Sequence, residues 1–141
     1  MRFRSVVLGT WLVAATGGCS AGLDLVEGTT FETGTYTAVL FQVTPDGQAP
    51  IDVLLSGGSL RITFDRTGAT TGTLVLPASV TGGAPLTASM AGTATITGLT
   101  VTFQQEANTF VREVTWSRIQ RTIQLTNQRI GNAIYDVALQ R

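Results

Sequence analysis

Gly92-Thr93-Ala94-Thr95-Ile96-Thr97-Gly98-Leu99-Thr100-Val101-Thr102-Phe103 is the stretch whose reading decides the fold class. Apolar and polar residues alternate on both sides of Gly98. Ala94 and Ile96 share one face, and Thr93, Thr95 and Thr97 share the other. Leu99, Val101 and Phe103 then oppose Thr100, Thr102 and Gln104. Successive side chains of a strand point to opposite faces, so this spacing describes two strands with one packed and one wet face. That division is characteristic of antiparallel sheets. Gly98 stands at the junction, where a tight hairpin needs a positive φ.

The same pattern continues outward in both directions. It predicts strands near 34–43, 51–55, 59–65, 70–76, 86–97, 99–106, 110–118, 121–126 and 133–140. Leu60, Ile62 and Phe64 alternate with Arg61, Thr63 and Asp65, and Tyr135, Val137 and Leu139 with Ile134, Asp136 and Ala138. The segment 86–97 reads as one long strand, in which Gly92 marks a bend or a bulge. Turn residues separate the segments: Pro45-Asp46-Gly47, Ser56-Gly57-Gly58, Arg66-Thr67-Gly68, Thr81-Gly82-Gly83 and the run from Asn127 to Asn132. Links this short favour antiparallel neighbours in a meander.

Eight or nine such strands must close into a barrel or split into two sheets, and closure removes the exposed edges that invite aggregation. The expected fold is therefore all-β, an antiparallel up-and-down β-barrel, with a β-sandwich as the alternative. Abundant threonine and valine agree, because branched side chains fit a pleated surface. A transmembrane barrel would carry an apolar band outside. The Thr-rich faces of the clearest strands place the apolar side inward instead.

The start of the chain is different in kind. Arg2 and Arg4 precede an apolar run from Val6 to Ala15, followed by the small residues Thr16-Gly17-Gly18 before Cys19. A charged head, a short apolar run and small residues describe a secretory signal peptide. The run is shorter than the roughly 20 residues a spanning helix needs. Cys19 is the only cysteine, so it cannot form an intramolecular disulfide. Gly17-Gly18-Cys19 resembles the lipobox of bacterial lipoproteins, with Thr16 where that pattern usually has Leu. The resemblance implies acylation of Cys19 and cleavage before it; the alternative is ordinary signal cleavage nearby, for example after Ala21, with Cys19 discarded. Ser20 rather than Asp at the next position implies the outer membrane, facing the periplasm, in a two-membrane cell. The expected organisation is a signal peptide over 1–18, a flexible tether over 19–33 and one all-β domain over 34–141.

Composition excludes several chemistries. The chain has nine basic and nine acidic residues and no histidine. Without histidine there is no Ser-His-Asp or Cys-His catalysis and no histidine metal site. There is no basic excess of the kind a nucleic-acid partner requires. Glu106 and Glu113 read as solvated, and Asp46 and Asp52 as turn and surface residues. No catalytic residue, metal or cofactor is expected.

One constellation could bind a ligand. In a strand over 110–118, Phe110, Arg112, Val114, Trp116 and Arg118 share a face. If Trp116 points inward, Arg112 and Arg118 reach the interior or its rims. An arginine there could pair with an acidic group while Phe110 and Trp116 line an apolar pocket. The alternative is that the arginine stems lie on Trp116 and their guanidiniums reach water or a backbone carbonyl.

Gly34-Thr35-Tyr36-Thr37, Gly57-Gly58-Ser59-Leu60-Arg61-Ile62-Thr63-Phe64, the hairpin quoted first and the ending Ile134 to Arg141 together resemble small bacterial lipoproteins with a lipocalin-like domain. Tyr36 stands where lipocalins have the tryptophan of Gly-x-Trp. The resemblance implies a barrel enclosing a small apolar ligand. The expected function is a non-enzymatic envelope lipoprotein with such a ligand as partner. The alternative is a structural or interaction module whose partner is an envelope protein.

Overall fold

The computed structural model describes residues 32–141. The expected signal peptide and Cys19 lie outside the described residues, as does the tether up to residue 31.

Ten strands and two single helical turns follow one another. They are β1 (Gly34–Pro45), β2 (Ile51–Asp52), β3 (Ser59–Phe64), β4 (Ala69–Leu76), α1 (Ala78–Thr81), β5 (Leu86–Ser89), β6 (Gly92–Thr97), β7 (Thr100–Gln105), α2 (Phe110–Glu113), β8 (Thr115–Ile119), β9 (Thr122–Ile130) and β10 (Ala133–Gln140). Each barrel strand pairs antiparallel with the next in the chain, and β10 returns to pair with β1 from Thr37↔Gln140 to Pro45↔Ala133. The result is a closed eight-strand barrel, with β2 and β5 as the two extra strands. The β-barrel is thus the form adopted, and the sandwich is not.

The alternation read from the sequence fills the inside. Leu60, Ile62, Phe64, Leu74, Val101, Phe103, Ile123, Val137 and Leu139 are buried. Thr37, Thr71, Thr73, Thr93, Thr95 and Thr102 face out and are exposed. Apolar-in and polar-out is the reverse of a membrane-spanning barrel.

Where the structure departs from simple alternation, a local hydrogen bond or bulge is the cause. The expected strand 51–55 ends at Asp52, because the Asp52 carboxylate takes the Leu55 N–H at 3.0 Å and turns the chain. The expected strand 86–97 is two strands. It breaks at Met90–Ala91, where the Met90 N–H turns to the Gly72 carbonyl at 3.0 Å, and Leu86 is left exposed. A Cβ at Gly92 would run into the Gln104 carbonyl, so the strands pass there closely enough to require glycine. Leu99 belongs to the hairpin turn rather than to β7 and is exposed. The run from Asn127 is not a turn: β9 continues to Ile130 and the hairpin turns at Gly131. Asn127, at φ 51°, forms a bulge whose N–H donates to the Asp136 carboxylate at 2.7 Å.

The barrel has two distinct ends. At the entry end, where the described chain begins, lie the start of β1, the finish of β10 and the hairpins at 65–68, 98–99 and 120–121. At the capped end lie the loops between β1 and β3, the α1 segment, α2 and the Gly131 turn.

Candidate functional site

The expected strand 110–118 divides into α2 and β8, and this rearranges the predicted ligand-binding set. Thr109 has extended backbone, and Phe110–Glu113 then make one helical turn. Phe110 and Val111 are adjacent in sequence and both buried, which a regular strand with one wet face does not achieve. The two neighbouring apolar residues were the sequence signal for this turn; Thr109 before them makes no side-chain cap hydrogen bond.

The structure brings Phe110 and Trp116 together with ring centroids 6.2 Å apart, but it separates the two arginines. Arg112, on α2, donates from its guanidinium to the Gln105 carbonyl at 3.3 Å. That is the carbonyl contact weighed as the alternative. Arg118, near the finish of β8, is half-buried at the entry end. Of the four, the structure joins Phe110 with Trp116 and sets Arg112 and Arg118 at opposite ends of the barrel. Parity served for Trp116 and Arg118, which share β8, and failed for Phe110 and Arg112, which do not lie on a strand.

Aromatic rings form a continuous file through the barrel. Tyr36 meets Phe64 edge-on at 5.1 Å, and Phe64 meets Phe103 at 5.9 Å. Phe103 meets Trp116 edge-on at 5.7 Å, and Phe110 closes the capped end by stacking on Tyr135 at 4.7 Å. Edge-on and offset contacts of this kind suit the ring quadrupole. The Trp116 indole N–H donates to the Val111 carbonyl at 3.1 Å, which ties the barrel wall to α2. Burial, and secondarily Glu113, raise the Tyr135 hydroxyl above its ordinary pKa. Beneath α2, Thr70 donates to the Met90 carbonyl at 2.8 Å and accepts from Gln105 at 3.2 Å.

Among the described residues, clefts open at both ends. One of about 260 Å³ at the capped end is lined by Val43, Pro45, Val80, Asn132 and Tyr135, among others. A larger one of about 640 Å³ at the entry end is lined by Glu32, Arg118, Gln120, Arg121, Gln140 and Arg141, with Thr122. The 120–121 hairpin places Arg121 there, with Gln120 at φ 54°. Glu32, assigned to the tether from the sequence, accepts from Arg141 at 3.1 Å and lies 3.9 Å from Arg121. Tyr36 lies within the field of these charges. Burial, and then Glu32, raise its hydroxyl pKa, against the pull of Arg118, Arg141 and Arg121. Sequence reading missed Glu32, Arg121 and Arg141. The sequence reading put Arg121 at the start of a strand over 121–126, whereas the structure puts it in the hairpin before β9.

Among the described residues, no group of three or more His, Cys, Asp or Glu side chains is arranged to hold a metal. Glu106 and Glu113 are both exposed. No protein-family model, curated protein or solved structure matches this chain.

Proposed function

We propose that this protein is a non-enzymatic envelope lipoprotein, anchored by acylated Cys19, whose barrel works at its surface as an interaction module for an envelope protein. The observation behind this reading is the aromatic file Tyr36–Phe64–Phe103–Trp116–Phe110, which occupies the volume where a barrel would carry a ligand. Small barrels are often filled in this way by their own side chains. The up-and-down strand order is lipocalin-like in plan, with the calyx taken up by protein. The leader supports export and anchoring, since a diacylated cysteine gives stable attachment where one chain does not.

The competing reading is the apolar-ligand binder. The cleft beside Tyr135, at about 260 Å³, falls below the lower bound of about 300 Å³ for small-molecule sites and is lined in good part by polar residues such as Gln48, Ser79 and Asn132. Native mass spectrometry of the protein purified from its own cells separates the two readings. A co-purified protein subunit with an empty barrel is the expected result. A stoichiometric lipid-like mass that Phe110→Trp displaces would overturn it in favour of the ligand binder.

A further inference from the structure

We propose that the entry end of the barrel is a membrane-docking surface, which rests on anionic lipid headgroups of the membrane that holds Cys19. This builds on the anchored reading above and adds an orientation and a lipid partner.

Three independent features converge on this end. The first is exposed apolar surface set beside arginines; the capped end also exposes an apolar side chain, Leu55. Leu99 at the tip of the β6–β7 hairpin is 74% exposed, and Ile119 at the finish of β8 is 54% exposed. They lie side by side, because the Arg118 N–H donates to the Leu99 carbonyl at 2.7 Å. The hairpin tip projects beyond β4, whose pairing with β6 stops at Ala69↔Thr93. The second feature is charge. Arg118, Arg121 and Arg141 line the cleft beside these residues, with Glu32 as the acidic side chain among them. The capped end carries Asp46, Asp52, Glu106 and Glu113 against Arg112 and Arg129, whereas the entry end carries Arg66, Arg118, Arg121 and Arg141 against Glu32 and Asp65. The barrel is therefore polarised along its axis, positive at the entry end.

The third feature is where the chain comes from. Residues 20–31 lead from Cys19 to Glu32, which sits on this end. Twelve residues reach at most about 40 Å even when fully extended, so the anchor keeps this end, where the chain enters, within that distance of the surface. Exposed apolar side chains flanked by arginines enter the boundary between headgroups and acyl chains. The arginines favour anionic headgroups over neutral ones.

The test uses the full acylated chain in vesicles of phosphatidylcholine, with or without phosphatidylglycerol. Leu99→Cys at the entry end and Leu55→Cys at the capped end each provide a site for a fluorescent label, since an acylated Cys19 does not react. The mass of the purified chain reports acylation separately. A chain without acyl mass means that the anchored reading fails, and the same labels are then read with the chain added to vesicles from solution. The expected result is quenching of the position-99 label, but not the position-55 label, by a quencher carried in the bilayer, and only when phosphatidylglycerol is present. Arg121→Gln with Arg141→Gln should lower the docked fraction relative to the undocked by about thirtyfold, with near-ultraviolet circular dichroism unchanged. Equal quenching at both positions, quenching that ignores phosphatidylglycerol, or release by inorganic phosphate beyond that caused by chloride at equal ionic strength would each overturn the proposal. The last outcome would assign the cleft to a free anion.

Discussion

Gly72 and Trp116 show how single residues hold this barrel. Gly72 adopts φ 136°, and a Cβ there would strike the Arg61 carbonyl of the neighbouring strand. Gly72→Ala should cost about 2 kcal/mol or more, from positive-φ strain and that clash. Gly83, where a methyl group would meet nothing within 4 Å, is the control and should change little as Gly83→Ala. Urea midpoints at constant m-value measure both. Trp116 is fully buried, and its indole N–H satisfies the Val111 carbonyl. Trp116→Phe keeps most of the packing but leaves that carbonyl unpaired, for a loss of about 1–3 kcal/mol. Trp116→Ala adds a cavity and should lose about 3–5 kcal/mol. Equal losses for the two variants in urea unfolding would mean that the hydrogen bond, and not the ring volume, dominates. At this scale the sequence set Trp116 on the face opposite Thr115 and Ser117, and the structure showed that its face is the inner one.

At the scale of elements, the 65–68 hairpin makes a prediction about acid. One oxygen of the Asp65 carboxylate accepts from the Thr67 N–H at 2.7 Å, the Thr67 hydroxyl at 2.7 Å and the Ala69 N–H at 3.0 Å. The Thr67 hydrogen bonds lead in holding its pKa below the ordinary carboxylate value. A lowered folded pKa means that the contribution to stability is present above the unfolded value and is lost as pH falls through the folded one. Asp65→Asn keeps an acceptor for the turn but removes the titration. Its stability should therefore vary less with pH on the acid side than the parent's, measured by urea unfolding across that range. The helical turn α2 is the other revealing element. Phe110→Ala should open a gap among Phe41, Trp116 and Tyr135, at a cost of about 3–5 kcal/mol. Hydrogen exchange should then quicken in α2 before it does in β9 and β10.

For the whole molecule, alkaline pH is the natural probe of the file of rings. Tyr36 and Tyr135 both have raised pKa values, chiefly through burial. Their stabilising effect is complete below the ordinary tyrosine value and is lost as pH rises through the folded values. Tyrosinate absorbance should therefore appear together with unfolding, rather than before it. The anchor has its own check. Inhibiting the lipoprotein signal peptidase should make an uncut chain accumulate, and labelled palmitate should reach the parent chain but not Cys19→Ala.

Period-two alternation within 59–64, 92–105 and 133–140 determined the fold class from the sequence, because side-chain parity is a property of each strand alone. Turn residues such as Gly98 and Gly68 set the order of neighbours for the same local reason. Closure of β10 onto β1 was left to the tertiary structure, since it joins residues far apart in the chain. So were the bulges. The register shift between Ala38 and Leu40 exposes both Val39 and Leu40 and moves the buried set from Tyr36 and Ala38 to Phe41 and Val43. A bulge changes parity only in response to the strand opposite, and no residue type in β1 announces it. The placing of Arg112 and Arg118 at opposite ends has the same origin. It depends on a helical turn that is held in place by the rings packed around Phe110.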